Sequence, residues 1–250
     1  MGALTLTGNL SVDAALGITQ SGDLSIGGTT DLGANIASNI LLNRAGNNFV
    51  GGVFVTSGNN VTLVDANTLD LAGGTVSGNL SLTSNGAITD SGGLAVTGTT
   101  TLAAGAANDI TLDSVGNNFV NAVGIISGRN VTLVDANAID LGPTSTVSGN
   151  LSVTANGAIS DSGSLVVTGT TTLATGAANN ITLDNGLNNF GGAVSITSGN
   201  NVTLVNADGI DLGASNVSGN FSVTTGGAVT DSGNLIIGGT TTVTATAELS

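Results

Sequence analysis

Acidic and amide residues recur at fixed spacing, and they are the first candidates for chemistry in this chain. Asp and Asn at alternating positions of glycine-rich repeats bind Ca²⁺ in some proteins. The weak candidates for such a site are Asp65, Asp135 and Asp208. Asp65 matches Asp135, but the next copy of the pattern has Asn206 at this position. A calcium cage needs carboxylate charge at fixed positions, whereas a turn needs only a short hydrogen-bonding group. We therefore expect structural capping, with calcium binding as the alternative.

A second set of carboxylates, Asp70, Asp140 and Asp211, recurs in the same way. Paired carboxylates can hydrolyse glycosidic bonds, but a catalytic pair would break the repeat at one place instead of recurring along it. The chain has no histidine, and its only cations are Arg44 and Arg129, so a general base of the His or Lys type is missing. We predict that the protein is not an enzyme and uses no cofactor.

The composition also argues against several kinds of partner. Only 7% of the residues are charged, and the formal net charge is -14, which repels nucleic-acid phosphates. No segment approaches the roughly 18 consecutive apolar residues of a membrane helix, so membrane insertion is not expected. Hydrophobic residues nevertheless make up 40% of the chain, which is more than disordered chains contain. The chain therefore has enough apolar material to fold.

A long tandem repeat organises the whole sequence. The segments TGNLSV, SGNLSL, SGNLSV and SGNFSV begin copies at about 7–76, 77–147 and 148–217, followed by a partial copy at 218–250. One extra residue lies near Pro143, the only proline. Loops accept such length changes more readily than strands, so this position predicts a surface turn.

Short alternating runs within each copy predict strands. Runs such as LSV, VTLV and IDL have the period of two that places apolar residues on one face, and SGN, TSNG and GAAN are turn sequences. About three strands per coil give three to four rungs per copy, and a rod of about 50–60 Å at the usual strand spacing. The predicted fold class is all-β, a parallel β-solenoid of about three and a half copies. Phe49, Phe119 and Phe190 are expected to fill the same corner of successive copies.

The segments SGNNVTLVDANTLDL, GNLSLTSNGAITDSGGLAVTG and NDITLDSVGNNF resemble filamentous-haemagglutinin-like bacterial exoproteins and β-strand-repeat autotransporter passengers. The resemblance extends over essentially the whole chain. It implies a right-handed parallel β-helix, two-partner or autotransporter secretion, and a role in adhesion, aggregation or biofilm formation. The first residues, MGALTLTGNLSV, lack the basic and apolar stretches of a signal peptide. We therefore expect export to the cell surface as part of a longer parent protein.

Three roles remain open from the sequence. The first is a structural stalk or adhesin module. The second is self-assembly, head to tail or laterally, because neither end of the chain has the polar cap that solenoids need. The third is an adhesin with a defined host or cell-surface receptor. The most deviant segment, residues 31–58, is the candidate for such a site, and its extra apolar run Ile40, Leu41 and Leu42 predicts a surface patch.

Overall fold

The structure, a computed structural model, describes residues 1–246 and contains 34 β-strands in this range. No helix occurs among these residues, and so none that could span a membrane. Residues 247–250 of the predicted last copy lie outside the described part. The strands pair in parallel and stack into a solenoid of about twelve turns. At about 4.8 Å per turn the rod is about 55 Å long. The predicted fold class is confirmed, and its handedness stays a prediction.

The strands are short, and most have three to five residues. The first four turns contain β1 (Leu4–Leu6), β2 (Leu10–Ala14), β3 (Ile18–Thr19), β4 (Leu24–Ile26), β5 (Thr30–Ala34), β6 (Ile40–Leu42), β7 (Asn48–Phe49), β8 (Val53–Ser57), β9 (Val61–Asp65), β10 (Leu69–Val76) and β11 (Leu80–Ser84). The next four contain β12 (Ile88–Asp90), β13 (Leu94–Val96), β14 (Thr100–Ala103), β15 (Ile110–Leu112), β16 (Asn118–Phe119), β17 (Val123–Ser127), β18 (Val131–Asp135), β19 (Ile139–Leu141), β20 (Thr144–Val147), β21 (Leu151–Ala155), β22 (Ile159–Asp161) and β23 (Ser164–Val167). The last four contain β24 (Thr171–Ala174), β25 (Ile181–Leu183), β26 (Asn189–Phe190), β27 (Val194–Ser198), β28 (Val202–Asn206), β29 (Ile210–Leu212), β30 (Ser215–Val217), β31 (Phe221–Thr225), β32 (Val229–Asp231), β33 (Leu235–Ile237) and β34 (Thr241–Ala245).

Two long sheets run along the rod, and each receives one strand from every turn. The first long sheet follows the path β2, β5, β8, β10, β12, β15, β18, β21, β24, β27, β29 and β32. The second contains β3, β6, β9, β11, β14, β17, β19, β22, β25, β28, β31 and β34. The other strands, together with the second half of β10, form four side stacks, which are β1-β4-β7, β10-β13-β16, β20-β23-β26 and β30-β33. The chain enters the first and third stacks from the second sheet, and the other two from the first sheet. The stacks therefore alternate between two sides of the rod.

Successive copies of the repeat begin on opposite long sheets. Leu10 and Leu151 start strands in the first sheet, whereas their counterparts Leu80 and Phe221 start strands in the second. The partners in register are about 20 residues apart, so a copy of about 70 residues makes about three and a half turns. Each copy is thus rotated by half a turn relative to the copy before it.

This half-turn determines on which side of the rod the recurring phenylalanine of each copy lies. Phe49, Phe119 and Phe190 are all buried, at 1–2% exposure, and each ends the side stack of its own copy. Phe49 and Phe190 follow strands of the second long sheet, whereas Phe119 follows a strand of the first. The prediction that all three fill the same corner is therefore wrong, because the half-turn places Phe119 on the opposite side.

One apolar core runs through the stacked turns. In β9, Val61 and Leu63 are fully buried, and the residues after each of them are partly exposed. Val61 is in register with Ile40 in the turn below and with Leu80 in the turn above, although Leu80 belongs to the next copy. Full burial of such a side chain is worth about 1.5–3 kcal/mol. Neighbouring copies therefore stabilise each other through a shared interior.

The inserted residue near Pro143 lies in a surface turn, as the sequence predicts. Pro143 is exposed and separates β19 from β20. In the first copy the same path is the single strand β10, which passes through Gly73 and Gly74 with φ of +114° and +141°. Residues with a side chain rarely adopt these angles, so the continuous strand of the first copy needs glycine at these two positions. The equally short connection of the third copy has Ala214 and Ser215 there and is split into β29 and β30.

Candidate functional site

The calcium candidates Asp65 and Asp135 are buried capping groups. Both are 1% exposed at the end of a strand. One carboxylate oxygen of Asp65 accepts the backbone N–H of Phe49 at 2.8 Å, and the other accepts the N–H of Asn67 at 2.7 Å. Asp135 accepts the two equivalent bonds one copy later. Each carboxylate therefore closes its own turn and caps the start of a side-stack strand.

The third copy shows that this role does not require a carboxylate. Asn206 replaces the aspartate, and its side-chain oxygen accepts the N–H of Phe190 at 2.8 Å. Its amide nitrogen donates to the carbonyl oxygen of Gly209 at 2.7 Å. Asp208, the remaining calcium candidate, is exposed and accepts a bond from the Asn189 side chain at 3.2 Å. The exchange of Asp for Asn preserves the cap, which agrees with the structural interpretation.

The three candidates are too far apart to hold one ion. Asp65 lies in the second long sheet and Asp135 in the first, about three and a half turns or about 17 Å apart along the rod. No group of three potential metal-binding residues occurs within residues 1–246. Burial raises the pKa of both Asp65 and Asp135, and the N–H bonds that they accept oppose this rise. Both carboxylates are therefore turn caps, each bonded to two backbone N–H groups.

The recurring carboxylates Asp70 and Asp211 brace the next turn. Asp70 accepts bonds from the hydroxyls of Thr89 at 3.1 Å and Ser91 at 2.7 Å. Asp211 accepts the equivalent bond from Ser232 at 2.8 Å. Their counterpart Asp140, in the copy with the inserted residue, has a buried Oδ1 without a partner. None of the three lies next to another, so the structure forms no carboxylate pair at these positions.

The NNF motif contributes a buried asparagine that sequence reasoning did not single out. Asn117 is fully buried, and its side-chain oxygen accepts the N–H of Leu94 at 2.9 Å. Its amide nitrogen donates to Asp90 at 2.6 Å. Burial raises the pKa of Asp90, and the bond from Asn117 opposes the rise. Asn47 and Asn188 occupy the same position in the first and third copies.

Surface asparagines form a ladder along the turns. The side-chain oxygen of Asn39 accepts the N–H of Asn60 at 3.1 Å, and that of Asn60 accepts the N–H of Asn79 at 2.9 Å. Asn79 accepts the N–H of Thr99 in the same way at 2.9 Å. These turn asparagines therefore bind the backbone of the following turn through their side chains.

The predicted apolar surface patch is mostly core. Ile40 and Leu42 are fully buried, and only Leu41 is exposed, at 39%. The three residues form β6, in which alternate side chains point inward. Ile40 and Leu42 therefore occupy the same interior positions as Ile110 and Leu112 of the next copy, and the prediction of a continuous patch is wrong for these two residues.

A groove formed by part of the deviant segment and by β2 is a better candidate, and sequence reasoning missed it. The groove crosses β2, β5 and β8 on the first long sheet, has a volume of about 540 Å³, and is lined by Asp13, Asp31 and Phe54 among others. Asp31 is in register with Phe54, and Asp13 is in register with Gly33. All three side chains are exposed.

Four groove residues of the first copy differ from the residues at the same positions in the second and third copies. The later copies have Thr83 and Thr154 in place of Asp13, Thr101 and Thr172 in place of Asp31, Ala103 and Ala174 in place of Gly33, and Gly124 and Ser195 in place of Phe54. The differing positions lie about 20 residues apart in the sequence, which is one turn of the solenoid. Only the register of the strands shows that they meet on one surface.

The fold defines the chain as a tandem-repeat β-solenoid, a structural repeat module. The chain belongs to a family described as repeats of unknown function (DUF5649), whose model matches residues 1–56, 58–126, 128–197 and 199–249. The first three matches end at residues 56, 126 and 197, which are 70 and 71 residues apart, as are the copies recognised in the sequence. Neither a curated protein nor a solved structure is significantly similar to the chain.

Proposed function

We propose that this chain is a shaft module of an exported bacterial surface protein, and that it acts as a spacer and a weakly adhesive surface. The observation that supports this role is the core shared by all the stacked turns. Because the two long sheets continue from copy to copy through residues 1–246, this part of the rod has no hinge at which it would bend easily. Such a module fits a mechanical role better than catalysis.

The outer surface fits the same role. Strands of the long sheets present Ser and Thr outward, and the asparagine ladder ties each turn to the next. The resemblance to exported bacterial repeat proteins supports a location at the cell surface. A repeated polar surface binds through many weak contacts, so adhesion should increase with the number of copies. We therefore propose that adhesion comes from many weak contacts along the repeated surface and does not need a receptor pocket in each copy.

Length is the property that tests the spacer role. Inserting two further copies, about 140 residues, adds about seven turns and should lengthen the rod by about 34 Å. Small-angle scattering of the original and extended chains measures this difference directly. A constant cross-section with the added length supports the proposal. A compact particle, or a chain of separate beads, would contradict it.

Adhesion is tested separately from length. Proteins with two, four and eight copies displayed on cells should retain those cells on a host-cell or abiotic surface increasingly well. Equal retention by all three would contradict an adhesive role and leave the spacer role intact.

Self-assembly into filaments is a second candidate, favoured by the way neighbouring copies already stack. Val61 of the first copy pairs in register with Leu80 of the second, so one copy continues the sheets and the core of another. Two chains stacked head to tail would use the same contacts. Sedimentation at increasing concentration should show a growing species, and a monomer at all concentrations would exclude this candidate.

A further inference from the structure

We propose that the groove formed by Asp13, Asp31 and Phe54 binds an arginine side chain presented by a basic segment of a partner protein. This site goes beyond the spacer role, because it is a single feature of the first copy and not a property of the repeat. The later copies have no equivalent combination of charge and aromatic surface.

The charge of the groove fits a cation. Asp13 and Asp31 are both exposed, and neither takes part in the ion pairs found among residues 1–246. Those pairs join Asp23 to Arg44 and Asp109 to Arg129, so both arginines of the chain already have a carboxylate partner. With a net charge of -14, the chain has no other basic side chain to neutralise Asp13 and Asp31.

The aromatic ring narrows the choice of cation to arginine. Phe54 is 39% exposed, and it lies in register beside Asp31 on the neighbouring strand. A guanidinium group is planar, so it can stack on an aromatic ring while its edge donates two hydrogen bonds to a carboxylate. The compact ammonium of lysine makes no bidentate contact, and a neutral sugar gains nothing from the negative charge.

Gly33 keeps the floor of the groove open. It is in register with Asp13, and a Cβ at this position would lie 3.3 Å from an Asp13 carboxylate oxygen. The counterparts Ala103 and Ala174 have that Cβ and lie beside threonine instead of aspartate. Glycine therefore occurs beside aspartate, and alanine occurs beside threonine. This pairing is expected if the residues of the groove changed together.

The fold does not require these residues. The third copy has Thr154, Thr172 and Ser195 on the same long sheet, and its strands β21, β24 and β27 pair in the same register as β2, β5 and β8. In the first copy, Phe54 pairs in register with Gly73 of the next turn and its ring lies against this glycine, while 39% of the residue stays exposed. A bound guanidinium group would cover the exposed part of the ring and neutralise the two carboxylates.

The test uses a reverted chain and a defined probe. In the triple variant D13T/D31T/F54S, each residue becomes the one that the third copy already tolerates. The probe is N-acetylarginine amide, with the uncharged N-acetylcitrulline amide as its matched control, titrated into ¹⁵N-labelled protein. For the original chain we expect shift changes centred on residues 11–13, 31–33 and 54–57. The reverted chain should bind roughly 10- to 100-fold more weakly, from the loss of a cation-aromatic contact and two surface ion pairs.

A charge-matched variant separates this site from general attraction to an acidic rod. The variant D113N/D184N also removes two negative charges, but from exposed loops outside the groove. The first copy has Asn43 at the corresponding position. This variant should bind the arginine probe like the original chain. An equal loss of binding in both variants, or shift changes spread along the rod, would overturn the proposal.

Transplanting the groove tests sufficiency. The variant T154D/T172D/S195F, combined with Ala174→Gly, should create a second set of shift changes in the third copy. Arginine recognition would be contradicted if no second site appeared in the third copy. It would also be contradicted if the citrulline probe caused shift changes equal to those of the arginine probe, or if glucose, titrated as a neutral sugar, caused them and the arginine probe did not. Small-angle scattering of every variant checks that the rod is intact, so a failed spacer role and a failed groove are distinguishable.

Discussion

Three threonines that face the core should be replaceable by valine with a gain in stability. Thr30, Thr100 and Thr171 occupy the same position in successive copies, and each is at most 1% exposed. The Oγ1 atoms of all three lack a hydrogen-bond partner. The register neighbours of Thr100 are Leu80 and Val123, so its hydroxyl lies among aliphatic groups.

The size of the effect follows from this burial. A buried hydroxyl without a partner costs about 1–3 kcal/mol, whereas valine has nearly the same shape and no polar atom. Thr100→Val should therefore raise the free energy of unfolding by about 1 kcal/mol or more. Neighbouring sites of this set are about 17 Å apart along the rod, so their effects should add. The triple valine variant is expected to gain about 3 kcal/mol.

Chemical denaturation followed by circular dichroism measures the gain as a higher midpoint with an unchanged slope. Thr101→Val is the matched control, because Thr101 is the next residue of the same strand and its side chain faces outward. The control should change stability by less than about 0.5 kcal/mol. A lower midpoint for Thr100→Val would refute the reasoning, since it would show that the hydroxyl makes a favourable interaction in the core.

Three further substitutions test the caps and the turns. Burial raises the pKa of Asp135 above its ordinary 3.8, so the folded state binds its proton more tightly and stability falls as pH rises through this interval. Asp135→Asn, which copies Asn206, should remove that fall, and its thermal midpoint relative to the original chain should be higher at pH 7 than at pH 3; the reverse order would contradict this. Asn117→Ala leaves the Leu94 N–H unpaired and should cost about 2 kcal/mol or more in denaturation, and a neutral result would show that the cap is dispensable. Gly92→Ala would place a Cβ against the Ala72 carbonyl oxygen and should cost about 1–3 kcal/mol, whereas Gly186→Ala, with open space around it, should be nearly neutral; equal midpoints would argue against close stacking at Gly92.

The role of a polar residue could be predicted from the sequence where the copies have different residue types at the same position. The exchange of Asp65 and Asp135 for Asn206 indicated a cap, and the structure shows the same N–H bond in all three copies. Asn117 was not distinguished from its neighbours, because a buried and an exposed asparagine look alike in NNF. Its role depends on Asp90, which lies a full turn earlier in the chain.

The sequence by itself determined the strands, the repeat and the stacked architecture, because alternation with period two and glycine-rich turns are local properties of the chain. Only the tertiary structure decided which side each copy occupies. A copy of about 70 residues makes about three and a half turns, so each copy begins half a turn further around the rod than the one before. This half-turn places Phe119 on the side opposite Phe49. The same register brings Asp13, Asp31 and Phe54 to one groove, since residues about one turn apart become neighbours only after the strands have paired.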